Sequence, residues 1–389
     1  MEKANDMIYL DNAATSFPKP LRVYEEIDRC MRMYCANPGR GGHAMSIASG
    51  KAISEAREKI SAFFNIDNPL RLAFTKNATE AINIAIKGVV KPGDHVITSC
   101  MEHNAVIRPL KTLEKDRIIN LSIVEGDSFG QIDIEKMVAC INPRTRLIVC
   151  TLSSNVNGII FPIKKIGQIA RTRGILFLVD ASQGAGSEEI DVDDMNIDML
   201  AFPGHKGLLG PQGTGGIYIR EGIDIIPIMQ GGTGSVSDYL YQPEMMPDLI
   251  ESGTLNTPGI IGLAYGIDFI NETGLSNIKI FKHSLIKRLM EGMEEINGIV
   301  QYSLKDIDNN TGIAAINFEG VDSSEVSYIL DKEFGIATRA GLHCAPLAHK
   351  TLGTTGQGVV RFSVGCFNTV EEIDYTLEAL RKISIRFKQ

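Results

Sequence analysis

A chain of 389 residues, 44% of them hydrophobic, can bury a large core and is too long for one small domain. Its 47 acidic against 39 basic residues leave a formal charge of -8 with no Lys/Arg-rich run, which argues against a nucleic-acid partner. Apolar runs are only strand length and the N-terminus opens on charged residues, so the expectation is a soluble cytoplasmic protein with no membrane segment.

Taken along the chain, the stretch after Met45 has the helical period: Ile53, Ala56, Ile60, Phe63 and Phe64 share a face, and Lys51, Glu55, Glu58 and Lys59 lie elsewhere. Strands are expected at 72–75, 95–99, 147–152, 175–179, 199–202 and 216–219, each followed by polar or glycine-bearing loops. Apolar runs alternating with amphipathic stretches describe an α/β lobe with a mainly parallel sheet, whose strand ends are where such sheets place ligands. A helix near 278–296 is followed by strand 314–318, helix 323–333, strand 359–364 and helix 371–383, which reads as a smaller α+β lobe. We expect a large domain over 16–260, and a small one built from 1–15 plus 261–389. No repeat or Pro/Ser-rich linker separates them, so a continuous interface is expected.

Seven cysteines (30, 35, 100, 140, 150, 344 and 366) are odd in number, scattered, and lack the paired short spacings of zinc sites or a disulfide framework. Most read as small buried apolar residues.

Three segments carry chemistry. The apolar run ILFLVD ends in Asp180, with Gln183 three residues on, which sets a carboxylate at a strand end; capping of a following helix explains the same aspartate. The next strand runs into Pro203, Gly204, His205, Lys206 and Gly207. A solvated loop lysine is the bland reading, and the apolar strand feeding this loop favours a ligand-facing one. In FTKNATEAIN a strand ends at Thr75 and a helix starts near Asn77, offering free N–H groups and the Thr79 hydroxyl to an anion; a plain cap explains these letters equally. A lysine, an acid and an anion-binding helix start are the groups a pyridoxal 5'-phosphate (PLP) site requires.

VDASQ (179–183) followed by GHKGLLGPQGTG (204–215) resembles the class V aminotransferase family, specifically its cysteine desulfurases. YLDNAATS, GRGGHAMS, FTKNATEAIN, MEHNA, SNVNG, ESGTLNT and RAGLHCAP resemble the successive motifs of that family, in its order and over nearly the whole chain. The resemblance implies PLP fold type I, with Lys206 holding the cofactor and Asp180 on the pyridine nitrogen. It further implies His103 on the ring face and in proton transfer, Asn155 and Gln183 on the ring oxygen, and Ala78, Thr79 and His205 at the phosphate. Thr254 matches a threonine that reaches the phosphate of a neighbouring subunit, which implies a homodimer. Two positions depart from the pattern: Ala78 stands where a second threonine is common, and Pro203 where a serine or threonine often donates.

Cys344 lies in RAGLHCAPLAH, a loop setting unlike that of a buried structural thiol. The resemblance implies that it takes sulfur from L-cysteine as a persulfide, leaving alanine, and that Arg361 pairs with the substrate carboxylate, with Arg339 a second candidate. The 17 residues from Cys344 to Arg361 resemble the group with a short cysteine loop, which implies a sulfur-acceptor protein. Selenocysteine lyase, transaminase or epimerase chemistry on the same fold are the alternatives, followed by a non-catalytic sulfur carrier. A nucleotide-binding protein ranks last, because neither GxxxxGK[ST] nor a strand-linked GxGxxG is present.

Overall fold

The computed structural model describes residues 7–39 and 41–387; Arg40 of the GRGGHAMS segment, residues 1–6 of the N-terminal stretch and residues 388–389 lie outside the described residues. A short strand, β1 (Ile8–Tyr9), is followed by helices α1 (Leu21–Met33) and α2 (Ala44–Phe63). The central sheet comprises β2 (Leu72–Thr75), β3 (Asp94–Ser99), β4 (Ile119–Val124), β5 (Thr145–Thr151), β6 (Leu176–Asp180), β7 (Met199–Pro203) and β8 (Gly215–Ile219). Its order is β2-β8-β7-β6-β5-β3-β4, and β8 runs opposite to the other six strands. The six strands expected from the sequence are present. The edge strand β4 adds a seventh.

Helices α3 (Ala78–Val89), α4 (Asn104–Lys115), α5 (Ile134–Ala139) and α6 (Ile163–Thr172) cross between the parallel strands. Both faces of the sheet are covered, which is why its strands read as unbroken apolar runs. In β6, Phe177 and Val179 enter the core shared with Ile60 of α2 and with Phe64 just after it, and Leu176 and Leu178 enter the core shared with Ile82 and Ile86 of α3. At roughly 25 cal/mol per Å² of apolar surface removed from water, these two layers are the main source of stability.

Helix α7 (Thr257–Thr273) packs against α1 and α2 and leads into α8 (Leu275–Glu294). A second sheet follows, with β9 (Ile299–Gln301), β10 (Ile313–Phe318), β12 (Arg339–Gly341) and β13 (Val359–Ser363) in the order β12-β13-β10-β9, all antiparallel. Helices α9 (Ser323–Phe334) and α11 (Val370–Phe387) close a third core around Leu289, Ile316, Leu330 and Phe362. Strand β11 (Ile336–Ala337) pairs in parallel with β1, which ties the N-terminal segment to this body. The short helix α10 (Pro346–Thr351) sends Ala348 into the core of the large sheet, together with Ala345, Leu352 and Val359. The two bodies therefore share buried surface. Among the described residues no helix is long and apolar enough to cross a membrane.

Candidate active site

The C-terminal ends of β5, β6 and β7 deliver Thr151, Asp180 and Pro203 to one cleft of about 170 Å³, at the strand ends where such sheets place ligands. Eight of the residues singled out in the sequence line it: Ala78, Thr79, His103, Asn155, Asp180, Gln183, His205 and Lys206. Thr254, Arg339, Cys344 and Arg361 do not.

Lys206 sits where the loop after β7 crosses the loop after β6. A Cβ on Gly207 would lie 2.3 Å from the Ala185 carbonyl oxygen, and one on Gly186 would lie 2.2 Å from that of Gly207, so only glycine permits the crossing. Burial pushes the Lys206 amine down to about 8, Arg361 and Arg339 push the same way, and Asp180 and Asp11 oppose them. Roughly a tenth of the amine is therefore unprotonated at neutral pH, far more than for an ordinary lysine.

Asp180 is 2% exposed and its Oδ1 accepts from Ser182 N at 2.9 Å and Ser182 Oγ at 2.5 Å. These bonds cap a turn, not an α-helix, so the capping alternative holds only in this reduced form. Oδ2 keeps no protein partner among the described residues. His103 is the N-cap of α4, and its Nδ1 accepts from Ala105 N at 3.0 Å. Burial pushes this imidazole down to about 4, so it is neutral at physiological pH and carries its proton on Nε2. Gln183 Nε2 donates to the Ala13 carbonyl at 2.9 Å, a contact that draws the N-terminal segment over the cleft.

At the other end of the cleft, Asn77 caps α3 by accepting from Glu80 N at 2.9 Å. The amides of Ala78 and Thr79 are left open, and His205 Nδ1 is buried without a hydrogen-bond partner among the described residues. Its carbonyl is fixed by Thr15 Oγ1 at 3.0 Å and Lys19 Nζ at 2.8 Å. Open helix-start amides, a hydroxyl and an orphaned imidazole nitrogen suit a phosphate.

Cys344 is exposed, with its Sγ 4.0 Å from Arg339 Nη2. Its turn is fastened to the cleft rim twice: Asn104 N donates to the Cys344 carbonyl at 2.7 Å, and Asn155 Nδ2 to that of His343 at 2.7 Å. Arg361 is 1% exposed; Nη1 donates to the Asn155 carbonyl at 2.8 Å, Nη2 meets Asp11 Oδ1 at 2.6 Å, and Nε is buried and open. Thr254 is exposed and faces a separate hollow beside Lys76 and Asn256.

Sequence reasoning passed over Asp11, although it stands inside YLDNAATS, and Ser182, which stands inside VDASQ. It also passed over Glu102, which is fully buried, accepts from Ser99 Oγ at 2.5 Å and Thr151 N at 3.0 Å, and is pushed up to about 8 by that burial.

A family model described as aminotransferase class V matches residues 8–376. A probable cysteine desulfurase of Methanothermobacter thermautotrophicus is 38% identical over 387 residues, covering 97% of this chain and 95% of that protein. One of Pyrococcus abyssi is 34% identical, covering 99% and 96%. The apo structure of the cysteine desulfurase from Thermococcus onnurineus NA1 superposes with a TM-score of 0.92 at 34% identity, covering 98% of this chain and 96% of that one. The cysteine desulfurase CsdA of Escherichia coli, solved as an S-sulfonic acid, gives 0.87 at 26% identity, covering 98% and 95%. This chain belongs to the class V aminotransferase family.

Proposed function

We propose that the protein is a PLP-dependent cysteine desulfurase that converts L-cysteine to L-alanine, the sulfur passing to Cys344. The observation that carries this reading is the convergence of Lys206, Asp180 and the open start of α3 on one cleft whose rim holds the Cys344 turn. Relatives named probable cysteine desulfurase, matched over nearly their full length, support it.

Lys206 would anchor the cofactor through its aldehyde, Asp180 would hold the ring nitrogen protonated, and Ala78, Thr79 and His205 would take the phosphate, with Asn155 and Gln183 beside the ring oxygen. Bound there, PLP supplies an electron-withdrawing system that acidifies the substrate Cα–H and weakens the bond to sulfur. Lys206, once its amine is free, and His103 Nε2 move protons at the substrate carbons. Arg361, its guanidinium held by Asp11 and the Asn155 carbonyl, and Arg339 beside the thiol receive the substrate carboxylate. Overall, cysteine and the Cys344 thiol give alanine and a Cys344 persulfide; the carbon–sulfur bond breaks, a sulfur–sulfur bond forms, and atoms balance without an external oxidant.

Exposed Cys344 on a short turn favours handing the persulfide to an acceptor protein in the cytoplasm. Thr254, exposed and outside its own cleft, would complete the phosphate site of a second copy. The test is a visible spectrum of the protein with PLP, followed by L-cysteine with assays for alanine and sulfide, and L-selenocysteine in parallel. A yellow protein that forms both products from cysteine supports the reading. A yellow protein inert to cysteine leaves the fold and overturns the substrate.

A further inference from the structure

Directly behind Cys344 lies a pair of buried imidazoles that the chemistry above does not use. His343 and His349 stack with centroids 5.7 Å apart and planes 12° from parallel, and they are 3% and 0% exposed. His343 Nε2 donates to the Arg339 carbonyl at 3.1 Å, and His349 Nδ1 bonds Thr354 Oγ1 at 2.7 Å. The remaining nitrogens, His343 Nδ1 and His349 Nε2, are buried and without hydrogen-bond partners among the described residues. Burial pushes both rings far down, to about 3 and about 4, with Arg361 acting the same way on His343 and the bond to the Arg339 carbonyl opposing, so the stack is neutral.

The backbone makes this pair more than packing. His343 and Cys344 adopt φ of 49° and 56°, two successive non-glycine residues in the left-handed region. Such a conformation persists only where the surroundings over-determine it. Here they do so on three sides: Asn155 holds the His343 carbonyl, Asn104 N holds the Cys344 carbonyl, and the His343 ring is pinned between the Arg339 carbonyl and His349. Without the ring anchor, the turn would relax toward ordinary backbone angles and carry Cys344 Sγ away from Arg339.

The geometry points to His343, backed by His349, as a positioning residue for sulfur transfer, fixing the turn that presents the Cys344 thiol to the cleft. This rests on Cys344 being the sulfur acceptor. It adds a requirement outside the cleft: a neutral stacked ring pair whose only route to the substrate is through the cysteine backbone.

The test uses the PLP-loaded enzyme and two variants, His343→Phe, which keeps a stacking ring and loses the bond to Arg339, and His349→Leu, which removes the backing ring. Alanine formation is measured with a thiol reductant, alongside the spectral change on adding L-cysteine and the rate of Cys344 alkylation by iodoacetamide, with exposed Cys35 as the internal reference. The expected result is a fall in kcat of at least tenfold, with KM and the spectral response unchanged, and a Cys344 alkylation rate shifted relative to Cys35. A kcat within twofold of the parent in both variants overturns the proposal. So does loss of the spectral response together with kcat, because that marks general collapse of the site. If His343→Phe does not fold, His349→Leu decides by the same criteria. Cys344→Ser is run beside them: full activity in it removes the premise about Cys344, a failure separate from that of the histidines.

Discussion

The two halves of the site are built by opposite means. The floor that carries Lys206 and Asp180 hangs from three central strands, buried throughout in β6 and β7 and over the last five residues of β5, and glycines at 186 and 207 let its loops cross at close range. The wall that carries Cys344 is a turn between the edge strand β12 and the six-residue helix α10, held in left-handed backbone by side chains and two hydrogen bonds. Each left-handed non-glycine residue costs about 1–2 kcal/mol, so the wall holds its shape against backbone strain at His343 and Cys344. A cofactor needs a fixed seat. A thiol that receives sulfur and then surrenders it needs to be held only for the first task.

The comparison breaks most sharply if its halves fail to separate. Lys206→Ala should remove the visible absorption of the bound cofactor and lower alanine formation by on the order of 10³-fold or more. Cys344→Ala should lower sulfide release to a comparable degree while the cofactor spectrum and its response to L-cysteine persist. If Cys344→Ala also bleaches the protein, floor and wall are one unit and the division is wrong.

Asn155 bridges the halves, since it lines the cleft while its Nδ2 holds the His343 carbonyl. One hydrogen bond is worth about 0.5–1.5 kcal/mol, so Asn155→Ala should lower kcat by roughly twofold to tenfold and speed Cys344 alkylation. A steady-state assay beside an alkylation time course checks this. A loss as large as that of Lys206→Ala would place Asn155 in the floor instead.

The floor was legible in the sequence and the wall only in part. Contiguous apolar runs such as ILFLVD exist because both faces of the sheet are covered, and those of β5, β6 and β7 end in residues that line the cleft. Strand β4 escaped notice because it is the sheet edge: Asn120 is exposed and Ser122 bonds His95 instead of entering a core. Helix α7 is buried on several sides, against α1, α2 and the sheet core, so it shows no amphipathic period. Cys344 was found through its motif. The Asp11–Arg361 pair was not, because 350 residues separate its members and no local pattern announces such a contact. Nor does any letter announce left-handed backbone at a histidine followed by a cysteine.

Two titrations sharpen the picture of the floor. The Lys206 amine is lowered to about 8 by burial, and only its unprotonated form attacks an aldehyde. The rate of PLP capture by the apoprotein, followed by absorbance, should therefore rise with pH through a midpoint near 8. A rise that continues toward the ordinary lysine value of about 10.4 would mean that the amine is well solvated.

Glu102 tests the rigidity of the floor through stability. Its carboxyl is raised by burial to about 8, so the folded protein binds its proton over a range in which the unfolded chain has released it. The contribution is fully present below the unfolded value of about 4.3 and is lost as pH climbs through 8, where ionisation would strand a charge beside Asp180. Glu102→Gln copies the protonated acid: its oxygen can still accept from Ser99 Oγ and Thr151 N, and its NH2 replaces the hydroxyl at the unpartnered Oε2 position. The variant should match the parent in Tm near pH 5 and exceed it by a few degrees near pH 8, read by thermal unfolding at several pH values. Equal curves at both ends would mean that the floor admits water to Glu102, and that the close packing beneath Asp180 is looser than its burial implies.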